Sequence, residues 1–163
     1  MKKFLKMLAI IAISTVALTG CMEKEDKEYS TDGLTITMED GMVKKDILAA
    51  NIYYEGQKVV FSAIKETFET LEQVEINKDS TIGEYLDAVM AANKSDYEIL
   101  KDDGLIYFTY EKEVSERNFY YLSSVVKGND AFWLTTFACE SKNKAEYALK
   151  FIEWSKTIKV DQI

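Results

Sequence analysis

The fold of this protein is decided by residues 119–139, which read FYYLSSVVKGNDAFWLTTFAC. Two strand-like runs flank a polar turn at Gly128-Asn129-Asp130, and so short a connection predicts a hairpin of antiparallel strands. Alternate residues of a strand point to opposite faces, and here both faces are apolar, with Trp133 and Phe137 opposing Phe132 and Leu134. Strands of this kind belong at the centre of a sheet that is covered on both sides.

Further strands are predicted outward from this hairpin in both directions, at Leu34–Met38, Ala49–Tyr54, Lys58–Lys65 and Leu105–Tyr110. Short polar loops separate the later strands, which again favours antiparallel pairing.

Two segments have helical periodicity. Residues 82–93 follow Thr81 and Glu84, whose three-residue spacing is typical of a capping box. Residues 144–157 carry Tyr147, Phe151 and Trp154 on one face, and Asn143 with Glu146 predicts a second capping box. The sequence therefore predicts an α+β fold, in which an antiparallel sheet has helices on both faces (an α/β/α sandwich).

This order of core positions resembles small bacterial lipoproteins with the Mog/PsbP-like fold. The resemblance is carried by the segments Gly33–Met38, Ile82–Asn93, Phe119–Leu122, Ala131–Leu134, Thr136–Cys139, Phe151–Ser155 and Ile158–Val160. It implies a PsbP-like α+β domain over most of the chain after Gly33. It also implies a non-catalytic module that contacts other proteins, although no catalytic or partner-contact motif carries over residue by residue.

The first twenty residues have the pattern of a secretory signal. A basic start, MKKFLK, precedes the apolar run Met7–Leu18, which is shorter than the roughly 20 residues that span a bilayer. Leu18-Thr19-Gly20-Cys21 resembles a bacterial lipobox. The resemblance implies cleavage after Gly20 and attachment of acyl chains to Cys21. Two or more such chains would anchor the protein stably in a membrane.

Residues 1–20 are thus predicted to be a signal peptide, 21–32 a lipidated Cys and flexible tether, and 33–163 one domain. The signal contains three bases and no acid, so its removal would lower the net charge from −8 to −11. Anionic headgroups would repel that charge, and we expect the domain to stand away from the bilayer. The expected location is the extracytoplasmic face of the cell membrane, and the Lys-rich composition suits a Gram-positive source.

Composition excludes several kinds of function. The chain has no His, which excludes a Ser-His-Asp triad, and its two Cys cannot form a four-Cys zinc site. Its 28 acids against 20 bases disfavour nucleic-acid binding. No phosphate loop or nucleophile elbow is present, so we predict neither an enzyme nor a cofactor. The acidic turns and pairs that could bind a cation are Glu39-Asp40, Asp102-Asp103, Glu111 with Glu113, and Glu140. They lack the spacing of a calcium loop, so no metal site is predicted.

Two functions remain open from the sequence. The first is a surface-tethered module that contacts a membrane or envelope protein of unknown identity. The alternative is a small-molecule or lipid binder with a pocket between sheet and helix, lined by Tyr85, Met90 and Tyr107. Cys139 lies within a strand-like run and is predicted to be a buried, unreactive thiol.

Overall fold

The computed structural model describes residues 25–161, so the predicted signal and the Cys21 lipidation site lie outside the described residues. The strands are β1 Asp26–Thr31, β2 Leu34–Glu39, β3 Val43–Lys44, β4 Ile52–Glu55, β5 Val59–Thr67, β6 Leu100–Asp102, β7 Leu105–Val114, β8 Arg117–Lys127, β9 Ala131–Glu140 and β10 Lys159–Val160. The helices are α1 Phe68–Leu71, α2 Ile82–Asn93 and α3 Lys144–Lys156. None of these described helices has the length and apolar character needed to cross a bilayer.

Seven strands form the main sheet in the order β3-β4-β5-β9-β8-β7-β6, and every neighbouring pair is antiparallel. The predicted hairpin is confirmed as β8 and β9, and the backbone N–H of Gly128 donates to the carbonyl of Ala131 across its turn (2.9 Å). Both strands are buried over most of their length, as expected for central strands. A second sheet has the order β1-β2-β10.

One face of the main sheet is covered by α3 and the small sheet. Tyr147, Phe151 and Trp154 of α3 pack against inward-facing residues of β5, β8 and β9. The rings of Phe137 and Phe151 stack at 4.9 Å between centroids. The apolar stripe predicted for this helix is therefore its buried face.

The opposite face of the sheet is covered in part by α1 and α2. Leu86 and Val89 of α2 pack on Phe108 and Leu134, and the ring of Tyr85 stacks on Phe132 at 4.5 Å. Helices thus lie on both faces of an antiparallel sheet, and the predicted fold class is confirmed.

The two helix starts differ from each other. At α2 the predicted capping box is confirmed, because the Thr81 hydroxyl accepts from the Glu84 N–H and the Glu84 carboxylate accepts from the Thr81 N–H. The capping box predicted for α3 is wrong. A 3₁₀ turn, Ser141–Asn143, leads into α3, so Asn143 already has helical dihedral angles and its side chain makes no capping hydrogen bond.

The flexible tether predicted for residues 21–32 is wrong for half of its length, because residues 26–31 form β1 and pair with β2. The turn between them is Asp32-Gly33, whose φ angles of 50° and 86° suit a tight hairpin. Tyr29 anchors the strand, because its ring packs edge-on against Tyr54 at 5.2 Å. The folded domain therefore begins before the predicted Gly33.

Candidate interaction surface

Large exposed hydrophobic side chains are few among residues 25–161, and two of the three lie close together in sequence. Val43 is 58% exposed and Leu48 is 106% exposed, whereas the third, Leu149 on the outer side of α3, is 76% exposed. We call Val43, Lys44, Lys45 and Leu48 the β3-edge surface. They lie on the first strand of the main sheet, beyond which no described strand pairs, and on the loop that follows it.

The chain holds this surface in place from both sides. The buried side chain of Met42 precedes it, and Ile47 is partly buried against a small cluster formed by Tyr53 and its neighbours. At the end of the loop, the Asn51 carboxamide oxygen accepts from the Lys65 N–H at 2.8 Å. Leu48 is thus presented to solvent by a segment whose neighbours are fixed.

The two lysines of the β3-edge surface form exposed ion pairs. The Lys44 ammonium donates to Asp32 at 2.9 Å and to the Thr31 hydroxyl at 2.8 Å, and Lys45 donates to Glu55 at 2.6 Å. The hydrogen bond from Lys44 lowers the pKa of Asp32 and, reciprocally, raises that of Lys44. Because exposed pairs add little stability, their main effect is to surround the hydrophobic residues with polar groups.

The structure does not bring together the three residues predicted to line a pocket, Tyr85, Met90 and Tyr107. Tyr85 and Met90 lie in the cluster beneath α2, whereas Tyr107 lies in the cluster on the other face of the sheet. The physical reason is strand alternation, since Phe108, the neighbour of Tyr107, is the residue of β7 that faces α2.

Two carboxylates are buried, which the sequence did not predict, and each accepts a hydrogen bond from a tyrosine. The Tyr85 hydroxyl donates to Glu66 at 2.6 Å, and the Tyr147 hydroxyl donates to Glu39 at 3.1 Å. Burial is the main reason that the pKa of each tyrosine is raised well above 10, and the neighbouring carboxylate adds to it. Glu66 could have been found from the sequence, because it continues the inward alternation of Ile64 along β5.

A stack of aromatic rings covers the part of the α2 side that lies beyond the helix. Tyr97, which follows α2, stacks on Tyr110 at 4.8 Å, and Tyr110 stacks on Tyr121 at 4.7 Å. Tyr121 is 1% exposed, and its hydroxyl has no hydrogen-bond partner. Beside this stack, the Ser123 and Thr136 hydroxyls are buried and bond to each other at 2.8 Å. An unsatisfied buried hydroxyl is uncommon and costs stability, and the hydroxyl of Ser155 is the other such group among the described residues.

Several of the acidic positions considered for cation binding pair with bases. Asp102 contacts Lys156 at 3.1 Å, Glu111 contacts Lys144 at 2.7 Å, and Glu140 contacts both Arg117 and Lys142. Among residues 25–161, no group of three or more His, Cys, Asp or Glu side chains is placed to hold a metal ion.

Cys139 is fully buried in β9, as predicted. Burial raises the pKa of its thiol to about 12, and nearby carboxylates, including that of Glu146, add to the shift. The thiolate, which is the reactive form, is therefore scarce at neutral pH.

Comparison with known proteins gives likeness at the level of structure. No family model matches the chain, and neither does any curated protein. The solution structure of cyanobacterial PsbP (CyanoP) from Synechocystis sp. PCC 6803 is similar over 90% of this chain and 98% of that one, with 15% identity and a TM-score of 0.47. A crystal structure from Bacteroides thetaiotaomicron VPI-5482 is similar over 83% of this chain, with 11% identity and a TM-score of 0.55, and this chain spans 48% of that protein. At these identities the likeness concerns the fold alone.

Proposed function

We propose that this protein is a membrane-anchored lipoprotein of the bacterial envelope, and that its domain is a non-catalytic interaction module. The lipobox-like Leu18-Thr19-Gly20-Cys21 supports the anchor. The observation that carries the interaction is Leu48, a fully exposed leucine on a loop that is fixed at both sides. The partner proposed is a protein of the membrane or envelope.

The energetics favour Leu48 as the centre of such a contact. Burying one leucine side chain is worth about 1.5–3 kcal/mol. The loop is already held by Ile47 and Asn51, so binding would cost little additional ordering. The lysines beside Leu48 would form the polar rim that surrounds many interface cores.

Photo-crosslinking in living cells tests this assignment. A photoreactive amino acid at position 48 is expected to give a discrete crosslinked species, and Leu48→Asp is expected to abolish capture from a reporter at position 43. The matched control is Leu149, which is also an exposed leucine but lies on α3. If a reporter at 149 captures the same species as strongly, or if Leu48→Asp leaves capture unchanged, the β3-edge surface is not the docking site.

The anchor is tested separately. Wild-type protein is expected to enter the detergent phase of Triton X-114 and to incorporate a fatty-acid analogue. Cys21→Ala should lose both properties, because the thiol that carries the lipid is gone. Cys139→Ala is the control, since that thiol is buried and should leave labelling unchanged. Unlabelled wild-type protein that is released from cells would contradict the anchor.

A small-molecule binder is the second candidate, favoured by the unpartnered hydroxyl of Tyr121. In the unliganded protein, Tyr121→Phe should raise the free energy of unfolding by about 1 kcal/mol, because it removes an unsatisfied buried group. Tyr85→Phe, the control, should lower it by about 1.5–3 kcal/mol, because that hydroxyl is bonded to a buried carboxylate. Urea titration measures both.

The same variant separates the two functions. If Tyr121 binds a ligand in cells, native mass spectrometry should show a bound molecule in wild-type protein that is depleted in Tyr121→Phe. Equal occupancy in both, or no bound molecule at all, would remove this second candidate.

A further inference from the structure

The position of β1 limits how far the domain can move from its anchor. The twelve-residue segment 21–32 was expected to be a flexible tether, yet residues 26–31 are a paired strand. Only four peptide steps separate Cys21 from Glu25, the first described residue. A fully extended chain covers at most about 3.6 Å per residue, so Glu25 lies within about 14 Å of a lipidated Cys21.

Several structural elements meet where the chain enters the domain. The Glu25 carbonyl accepts from the Asp40 N–H at 2.8 Å, so the start of β1 and the end of β2 are side by side. Gly56, in the β4–β5 turn, lies so close to the Met42 sulfur that a Cβ there would be 2.5 Å from it. Together with Val43, which pairs with Glu55, these residues form what we call the entry end of the domain.

The opposite end of the domain is far from this point. β5 and β9 run between the two ends, with Val59 opposite Cys139 at the entry end and Thr67 opposite Ala131 at the other. Eight residue steps along β9, at about 3.3 Å each, separate the ends by about 26 Å. The start of α1 lies at the far end, where the Phe68 N–H donates to the Asp130 carbonyl at 2.9 Å.

We propose that the entry end of the domain lies against the headgroup layer of the bilayer and that the far end points away from it. This proposal rests on the lipid anchor of the proposed function. The entry end suits an interface, because it presents Val43, which is 58% exposed, and the half-exposed lysine Lys58, whose ammonium pairs with Glu146 at 3.0 Å. The short connection overrides the repulsion expected from the acidic net charge, because it prevents the domain from moving away.

This orientation narrows the kind of partner. The β3-edge surface begins at Val43, at the entry end, and continues through Lys45 into the loop that carries Leu48. The Asn51 N–H at the end of this loop donates to the Ala63 carbonyl, midway along β5, so a partner of that surface would meet it in the half of the domain that faces the bilayer. We infer a protein embedded in the same membrane rather than a freely diffusing one.

Energy transfer from the protein to the membrane surface tests the orientation. Full-length protein, extracted with its lipid, is reconstituted into phosphatidylcholine–phosphatidylglycerol vesicles that carry an acceptor dye on lipid headgroups. A donor dye is placed on Gln57→Cys at the entry end or on Glu69→Cys at the far end, both exposed positions. The buried native Cys139 does not compete for the dye. Transfer is expected to be high from position 57 and to fall by more than half from position 69.

A spacer variant serves as the control, with about 20 Gly and Ser residues inserted after Met22, enough to give a flexible reach of roughly 25 Å. The difference between the two positions should then largely disappear. Equal transfer from both positions without the spacer, or a difference that the spacer leaves unchanged, would overturn the proposal. Flotation with vesicles is scored first and tests the anchor. Loss of flotation overturns both proposals, whereas flotation with equal transfer overturns the orientation alone.

Discussion

Raising the pH from about 10 to 12 is expected to unfold this protein, because several buried hydroxyl and thiol groups must stay protonated in the folded state. Burial raises the pKa of Tyr53 and of Cys139 to about 12. It raises the pKa of Tyr85 and Tyr147 further, with Glu66 and Glu39 adding to the effect. In the unfolded chain the tyrosines return to an ordinary pKa of about 10.

These raised pKa values determine whether stability rises or falls with pH. A raised pKa in the folded state means that stability is fully present below the unfolded pKa and is lost as the pH rises towards the folded value. Each such group lowers the free energy of unfolding by about 1.4 kcal/mol per pH unit in that window. Over the two units from pH 10 to 12, four such groups would together remove about 11 kcal/mol, which is comparable with the 5–15 kcal/mol that is typical of a domain.

Urea titrations at successive pH values, followed by tryptophan fluorescence, measure this loss. Tyr85→Phe is the matched control, since it removes one titrating group and keeps the ring. The slope of stability against pH should then decrease by about 1.4 kcal/mol per pH unit, whatever the change in stability at neutral pH. A wild-type stability that stays constant up to pH 12 would show that these tyrosines and the thiol are not buried as described.

Trp154→Ala is expected to lower the free energy of unfolding by about 3–5 kcal/mol, the usual cost of truncating a buried aromatic side chain. Trp154 is almost completely buried and contacts the rings of Phe137, Tyr147 and Phe151. The variant would leave a cavity between α3, the main sheet and the small sheet. Urea denaturation at neutral pH measures the loss.

Two further substitutions separate the contribution of apolar packing from that of the indole hydrogen bond. Trp154→Phe keeps most of the apolar contact but loses the indole N–H, which donates to Asp26 at 3.0 Å. Asp26→Ala removes only the acceptor, and because that bond is partly exposed we expect a cost of about 1 kcal/mol. If Trp154→Ala costs no more than Asp26→Ala, packing is not what this residue contributes.

The elements that the sequence predicted well are those with strong local signals. The 119–139 hairpin combines a polar three-residue turn with strands that are apolar on both faces, and α2 combines a capping box with one apolar stripe. In each case the residues that indicate the element belong to the element itself or to the turn or cap next to it. Tertiary contacts were not needed to find them.

Predictions were wrong where distant contacts compete with local composition. Residues 26–31 are polar and charged, which is typical of a linker, but pairing with β2 and the packing of Tyr29 on Tyr54 make them a strand. Asn143 has the spacing of a capping residue, but the preceding turn gives it helical geometry. Tyr107 was wrongly placed beside Tyr85. The face that a strand residue occupies depends on the register of its strand, and the register of β7 is set by pairing with β8.

The amino-acid sequence was sufficient for the fold class, because hydrophobic periodicity and turn residues are properties of short segments. It also supplied the lipobox-like motif at Cys21, which lies outside the described residues. The buried Glu66–Tyr85 pair, the unpartnered Tyr121 hydroxyl and the exposure of Leu48 emerged only from the assembled domain. The physical reason is that burial and hydrogen bonding depend on which residues meet across strands and helices, and those residues are far apart along the chain.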